Sequence, residues 1–120
     1  MATVLIAEDL RTMRRLCRLM LVAEGYSVLE AEDGQEAVAR YRSHRPDAVL
    51  LDINMPGLDG LTALKKIKQF DPGARVAMVT ALGYKDQVMM ALQAGAVDFV
   101  VKPYHRERIL AAVRKLLREE

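Results

Sequence analysis

Apolar residues gather in five short runs along the chain: Val4 to Ala7, Tyr26 to Ala31, Ala48 to Leu51, Arg75 to Val79 and Phe99 to Val101. Runs of this length, bounded by polar or turn-forming residues, predict buried strands. Between them and after the last, apolar positions recur at helical spacing. Ile109, Leu110, Val113, Leu116 and Leu117 form the clearest face, and Leu61, Leu64 and Ile67 mark another. Met13, Leu16, Cys17 and Met20 form a stripe after the first run. Val88, Met89 and Leu92 mark a shorter helix, and Ala37, Val38 and Tyr41 the weakest. Gly25 and Gly95 stand where helices would end, and Pro46 follows one. Asp71-Pro72-Gly73 signals a turn ahead of the fourth run.

Strict alternation of strand and helix predicts a parallel sheet covered by helices on both faces. The first, third and fourth runs are the most apolar and belong at the centre. The second carries Ser27 and Glu30, which suits an edge. The expected fold is a flavodoxin-like (βα)5 doubly wound sheet of strand order 2-1-3-4-5, with residues 1–120 as one domain.

In such a sheet every strand ends at the same edge, where α/β proteins bind ligands. Glu8 and Asp9 follow the first run. Asp52 ends the third, in Leu51-Asp52-Ile53-Asn54-Met55-Pro56-Gly57. Thr80 and Ala81 follow the fourth, and Lys102 and Pro103 the fifth. Taken singly, Asp9 reads as a helix cap, Thr80 as a strand end and Lys102 as a surface lysine. Asp59-Gly60 reads as a capped helix start. Taken together, three carboxylates, a hydroxyl and an ammonium converge on one edge. Crowded carboxylates repel, and a hard divalent cation such as Mg2+ relieves them, whereas no imidazole or thiolate is offered for zinc. Cation, lysine and hydroxyl around a carboxylate form a cradle for a phosphoryl group, which the carboxylate can accept as an acyl phosphate. No glycine-rich phosphate loop points to a nucleotide donor.

Composition narrows the partners. The net charge of +2 over 120 residues does not argue for nucleic acid. Arg11, Arg14, Arg15 and Arg18 share one helix face and read as a solvated face opposite the Met13 stripe, a docking surface for an acidic partner being the alternative. The single Cys17 reads as a small core residue, which fits a reducing compartment. No stretch is apolar enough to span a membrane and no signal peptide is read, so a cytoplasmic location is expected.

These strand-end residues, with Asp59-Gly60, make the chain resemble the receiver domain of bacterial two-component response regulators, over essentially its whole length. It looks most like the small stand-alone chemotaxis or sporulation type. The resemblance implies that Asp52 accepts a phosphoryl group from a phosphohistidine of a sensor histidine kinase or phosphotransfer protein. It implies Mg2+, or Mn2+, on Asp9, Asp52 and the backbone carbonyl of Asn54, with Glu8 acting through a water. Lys102 would contact the phosphoryl group, and the Lys102-Pro103 peptide would be cis. Thr80, with Ala81 beside it, and Phe99 would form the switch, although Phe99 reads equally as a strand core residue. The signal would leave through the fourth helix, fifth strand and fifth helix, including Met89, Gln93, Phe99 and Tyr104, to a downstream effector; for Met89, core packing is the favoured alternative. Asn54 and Leu82 would tune hydrolysis. The domain itself would touch neither membrane nor nucleic acid, as a monomer or a phosphorylation-dependent dimer, and would catalyse only its own phosphorylation and dephosphorylation. Three alternatives stand beside this reading. A phosphohydrolase of the haloacid dehalogenase type would carry a second Asp where Asn54 stands, and would place its nucleophile first in the chain. The second alternative is the N-terminal receiver of a longer DNA-binding regulator, and the third a degenerate receiver used only for docking.

Overall fold

The computed structural model describes residues 1–81 and 85–118. Its strands are β1 (Thr3–Ala7), β2 (Ser27–Ala31), β3 (Ala48–Asp52), β4 (Val76–Thr80) and β5 (Asp98–Val101). They form one sheet, wholly parallel, in the order β2-β1-β3-β4-β5. The connecting helices are α1 (Arg11–Ala23), α2 (Gly34–His44), α3 (Gly60–Phe70) and α4 (Lys85–Gln93), and α5 (Arg106–Leu117) follows β5.

Side chains alternate across a strand, so each central strand feeds two cores. Val4, Ile6, Leu50, Ala77 and Val79 pack with Cys17 and Leu21 of α1 and Ile109, Val113 and Leu116 of α5. Leu5, Ala7, Val49, Leu51, Val76 and Met78 face the other way, onto α2, α3 and Ala91 of α4. β3 is buried along its full length, whereas β2 is half-buried at the edge. Asp33 caps α2 by accepting from the Glu36 N–H at 2.8 Å, and Asp59 caps α3 by accepting from the Thr62 N–H at 2.8 Å. Gly25 and Gly95 end α1 and α4 at φ +94° and +103°, where a side chain would be strained.

Two helices turn differently from expectation. On α1 the buried residues are Arg14, Cys17 and Leu21, while Leu16 is 46 % exposed. The buried face is thus centred about a quarter turn from the predicted stripe. Arg14 lies inside it because its guanidinium finds partners there. On α4 only Ala91 is buried, and Met89 and Leu92 face solvent. Asp9 does not cap α1: the cap position is Leu10, with no side-chain bond.

Candidate functional site

Strand register levels the candidate residues. Ala7 pairs with Leu51, so Glu8 follows at the height of Asp52. Asp52 pairs with Val79, which brings Thr80 one step further out. Thr80 pairs with Val101, so Lys102 comes next on the last strand.

Around Asp52 the polar atoms interlock. Asp52 is nearly buried, with its side chain 6 % exposed. The Asn54 N–H donates to Asp52 Oδ1 at 3.1 Å, and Lys102 Nζ donates to Asp52 Oδ2 at 2.9 Å. The same ammonium donates to Glu8 Oε1, while Glu8 Oε2 accepts from the Leu10 N–H at 3.3 Å. Lys102 therefore bridges two buried carboxylates. Asp9 is exposed beside them, and Glu8, Asp9 and Asp52 each offer an oxygen within 4.8 Å of the others. Thr80 is fully buried, and its Oγ1 lies 3.4 Å from the Asn54 side-chain amide. Its carbonyl accepts from the Lys102 N–H at 2.7 Å, which ties the fourth strand end to the fifth. The Lys102-Pro103 peptide is cis. Ala81 is exposed at the rim, and Phe99 is half-buried opposite Met78, packed on the α2, α3 and α4 side. Leu82 lies outside the described residues.

Electrostatics at the edge follow from this crowding. Partial loss of water at the crowded edge, then the hydrogen bond and charge of Glu8, raise the Asp9 carboxyl above its ordinary value. Burial alone would lower the Lys102 ammonium, but its bonds to Glu8 and Asp52 and their charges outweigh burial and raise it. Beneath the site, burial pushes the Cys17 thiol up to about 11, opposed by a hydrogen bond with Tyr104. Burial likewise raises the Tyr104 phenol. Three hard oxygen donors without sulfur or nitrogen suit a divalent cation of the Mg2+ class. The residues present fit that ion, with one bridging ammonium as the other positive charge in contact with them.

Two contributors carry weaker sequence signals. Arg14 is 8 % exposed and its Nη1 donates to the carbonyl oxygen of Glu8 at 2.7 Å. Its spacing of three and seven from Cys17 and Leu21 is the trace it leaves in the sequence. Gly60 donates its N–H to the Ile53 carbonyl at 2.8 Å, docking the first turn of α3 on the backbone just after Asp52.

Comparison with known proteins gives a consistent picture. A family model described as the response regulator receiver domain matches residues 4–114. The chemotaxis protein CheY of Bacillus subtilis (strain 168) is 48% identical over 115 residues, covering 95% of this chain and 96% of that protein. CheY of Thermotoga maritima is 40% identical over 114 residues, covering 94% and 95%. Among solved structures, a chain of the CheX-CheY-BeF3-Mg2+ complex from Borrelia burgdorferi matches with a TM-score of 0.92 at 39% identity, covering 96% of this chain and 88% of that one.

Proposed function

The chain belongs to the response regulator receiver family and is a phosphorylation-activated signalling switch of the CheY-like kind; from that premise we propose that Asp52 is its phosphoacceptor. The observation that carries this reading is the Lys102 ammonium bridging Glu8 and Asp52 at the strand edge, with Asp9 in reach of both. An oxygen of Asp52 attacks the phosphorus of a phosphohistidine on a sensor kinase or phosphotransfer protein. The P–N bond breaks, the imidazole nitrogen keeps the electron pair, and an acyl phosphate forms on Asp52. Water later cleaves the acyl phosphate and returns the carboxylate. Catalysis extends only to these two steps on the domain itself.

Asp9, Asp52 and the Asn54 carbonyl would hold Mg2+, or Mn2+ in its place, with Glu8 contributing through a water. The ion would neutralise charge gathering on the transferred oxygens. Lys102 sits where one phosphoryl oxygen would arrive, and Thr80 supplies a hydroxyl for another. Asn54, at the mouth, and Leu82 would set how readily water attacks. A phosphoryl group adds close to two negative charges to an edge already crowded with carboxylates. Thr80 and Phe99 would respond to that charge and alter the face made by α4, β5 and α5. On α4, Met89 is 47 % exposed and Gln93 is exposed, and Phe99 is half-buried on the same side of the sheet, whereas Tyr104 packs on the opposite side with Cys17 and the α5 core. A downstream effector protein would read this face, and no nucleic acid or membrane contact is needed. The single free, buried Cys17 suits a reducing, cytoplasmic setting.

The test is incubation with Mg2+ and acetyl phosphate followed by intact mass measurement. Wild type gains one phosphoryl mass, and Asp52→Asn gains none. An unmodified wild type, or an adduct undiminished in the variant, sinks the assignment.

A further inference from the structure

Four polar or charged residues are buried among the described residues: Glu8, Arg14, Asp52 and Thr80. Three lie at the strand edge already described. The fourth, Arg14, approaches from α1 and touches none of the carboxylates there. A guanidinium out of water needs a charge partner and hydrogen bonds, and Arg14 has both. Its Nε donates to Glu30 Oε1 at 3.0 Å, while Arg18 Nη1 donates to Glu30 Oε2 at 2.8 Å. Glu30 thus aims the Arg14 fork. The free end of that fork, Nη1, donates to the Glu8 carbonyl oxygen.

That carbonyl belongs to the peptide group joining Glu8 to Asp9. Pairing of β1 with β2 stops at Ala7 and Ala31. The Glu8 N–H still reaches the Ala31 carbonyl at 3.1 Å, but its own carbonyl lies past the ladder. A buried carbonyl without a donor is costly, and a peptide free to rotate there would swing the next side chain. Arg14 fills both needs: it satisfies the oxygen and fixes the peptide plane from which Asp9 departs.

We propose that Arg14, aimed by Glu30, is a positioning residue that holds the Glu8-Asp9 peptide so that the Asp9 carboxylate meets Asp52 at a common Mg2+. The proposal rests on the phosphoacceptor reading above. It explains why an arginine occupies the buried face of α1, where an apolar residue would pack more cheaply. It also explains why α1 begins without a side-chain cap: the Glu8-Asp9-Leu10 turn is pinned from inside the helix instead. Lysine would serve less well, because a single ammonium on a flexible stem cannot offer Glu30 and the carbonyl two donors in one rigid plane.

The test separates metal affinity from stability. Melting temperature is followed in EDTA and across a Mg2+ titration for wild type, Arg14→Met, Arg14→Lys and Glu30→Gln. Rates of acetyl phosphate labelling are measured against Mg2+ in parallel. Removing an outer partner of a metal site typically weakens binding about 10- to 100-fold. Arg14→Met is expected at the lower end, with a Mg2+ dissociation constant raised about ten-fold and a labelling rate at saturating Mg2+ within about three-fold of wild type. Arg14→Lys should fall between the two. A Mg2+ constant unchanged in Arg14→Met, with only the EDTA melting temperature lowered, would make Arg14 a purely structural residue and overturn the proposal. Should Arg14→Met not fold, Glu30→Gln, which keeps volume and removes only the aiming charge, must weaken Mg2+ binding for the proposal to survive. A wild type that neither binds Mg2+ nor labels on Asp52 defeats the phosphoacceptor reading as well. A normal wild type with Mg2+-indifferent variants defeats this inference alone.

Discussion

Replacing Gly60 by alanine probes how closely α3 is docked against β3, the strand that ends in Asp52. A glycine near a helix start ordinarily tolerates alanine, and the backbone entropy saved stabilises the fold by about 0.5–1 kcal/mol. Gly60 does not have a left-handed φ, so conformation alone permits the change. Space does not. An added Cβ would stand 2.7 Å from the Asp52 carbonyl carbon and 2.7 Å from Ile53 Cα, with the Asp52 carbonyl oxygen nearer still. Carbon atoms in contact prefer roughly 3.5–4.0 Å, so about 1 Å of separation must be found between two pieces of backbone. Neither side is the end of a flexible side chain. Overpacking of this kind costs about 1–3 kcal/mol and occasionally more. Backbone on both sides argues for the upper end, so after the helix gain the net loss is about 2–2.5 kcal/mol.

The consequence for chemistry is sharper than for stability. The atoms that must move include the carbonyl of Asp52 itself. A displacement near 1 Å at a reacting group can cost about 100-fold in rate. Gly34→Ala is the matched control. Its Cβ would meet the Leu58 carbonyl carbon at 2.9 Å and Leu58 Cβ at 3.1 Å, again against backbone, but not that of Asp52. Urea unfolding should show comparable losses for the two variants. Acetyl phosphate labelling, measured well below the midpoint for each, should fall about 100-fold for Gly60→Ala and only a few-fold for Gly34→Ala. Equal labelling rates would show that α3 docking does not set the position of Asp52. A Gly60→Ala protein as stable as wild type would refute the packing argument outright.

Three further outcomes follow from the same structure. Lys102→Met leaves Glu8 and Asp52 buried without their bridging cation and should cost about 3 kcal/mol at pH 7 in EDTA, with Mg2+ restoring part of the loss; urea curves with and without Mg2+ decide, and wild-type stability in EDTA would contradict it. At the opposite end of α2, the Tyr41 hydroxyl donates to Asp71 Oδ2 at 2.6 Å and, more than its other neighbours, holds that carboxyl below its ordinary 3.8. A lowered folded value means stability present above pH 3.8 and lost as pH falls through the folded value, so Tyr41→Phe should cost about 1 kcal/mol at pH 7 and progressively less below pH 3.8; a constant gap would break the linkage. Cys17, 2 % exposed and raised from 9.0 to about 11, should resist a thiol reagent at pH 8 until the fold opens, and its share of stability should be complete below pH 9 and decline as pH rises through about 11. Rapid labelling of native protein would contradict the first half.

What the sequence disclosed, and what it hid, divides along physical lines. Apolar runs and their polar ends depend on local pattern, so the strands, their order and the residues leaving them are legible in the sequence. The edge placement of β2 was legible too, because Ser27 and Glu30 are too polar for the centre of a doubly covered sheet. The direction in which α1 presents its residues was not. A helical wheel weighs side chains by apolarity and so sends Arg14 outward with Arg11, Arg15 and Arg18. The structure turns it inward because Glu30 and the Glu8 carbonyl, distant in sequence, supply what a buried guanidinium needs. Leu16 faces solvent instead. The same logic covers Gly60, whose role depends on backbone eight residues earlier that no composition rule brings near. Polar residues that leave the core at a strand end announce themselves by breaking an apolar run. Residues that hold those polar groups in place break nothing locally, and their spacing becomes informative only when a charged side chain falls in step with buried ones, as Arg14 does with Cys17 and Leu21.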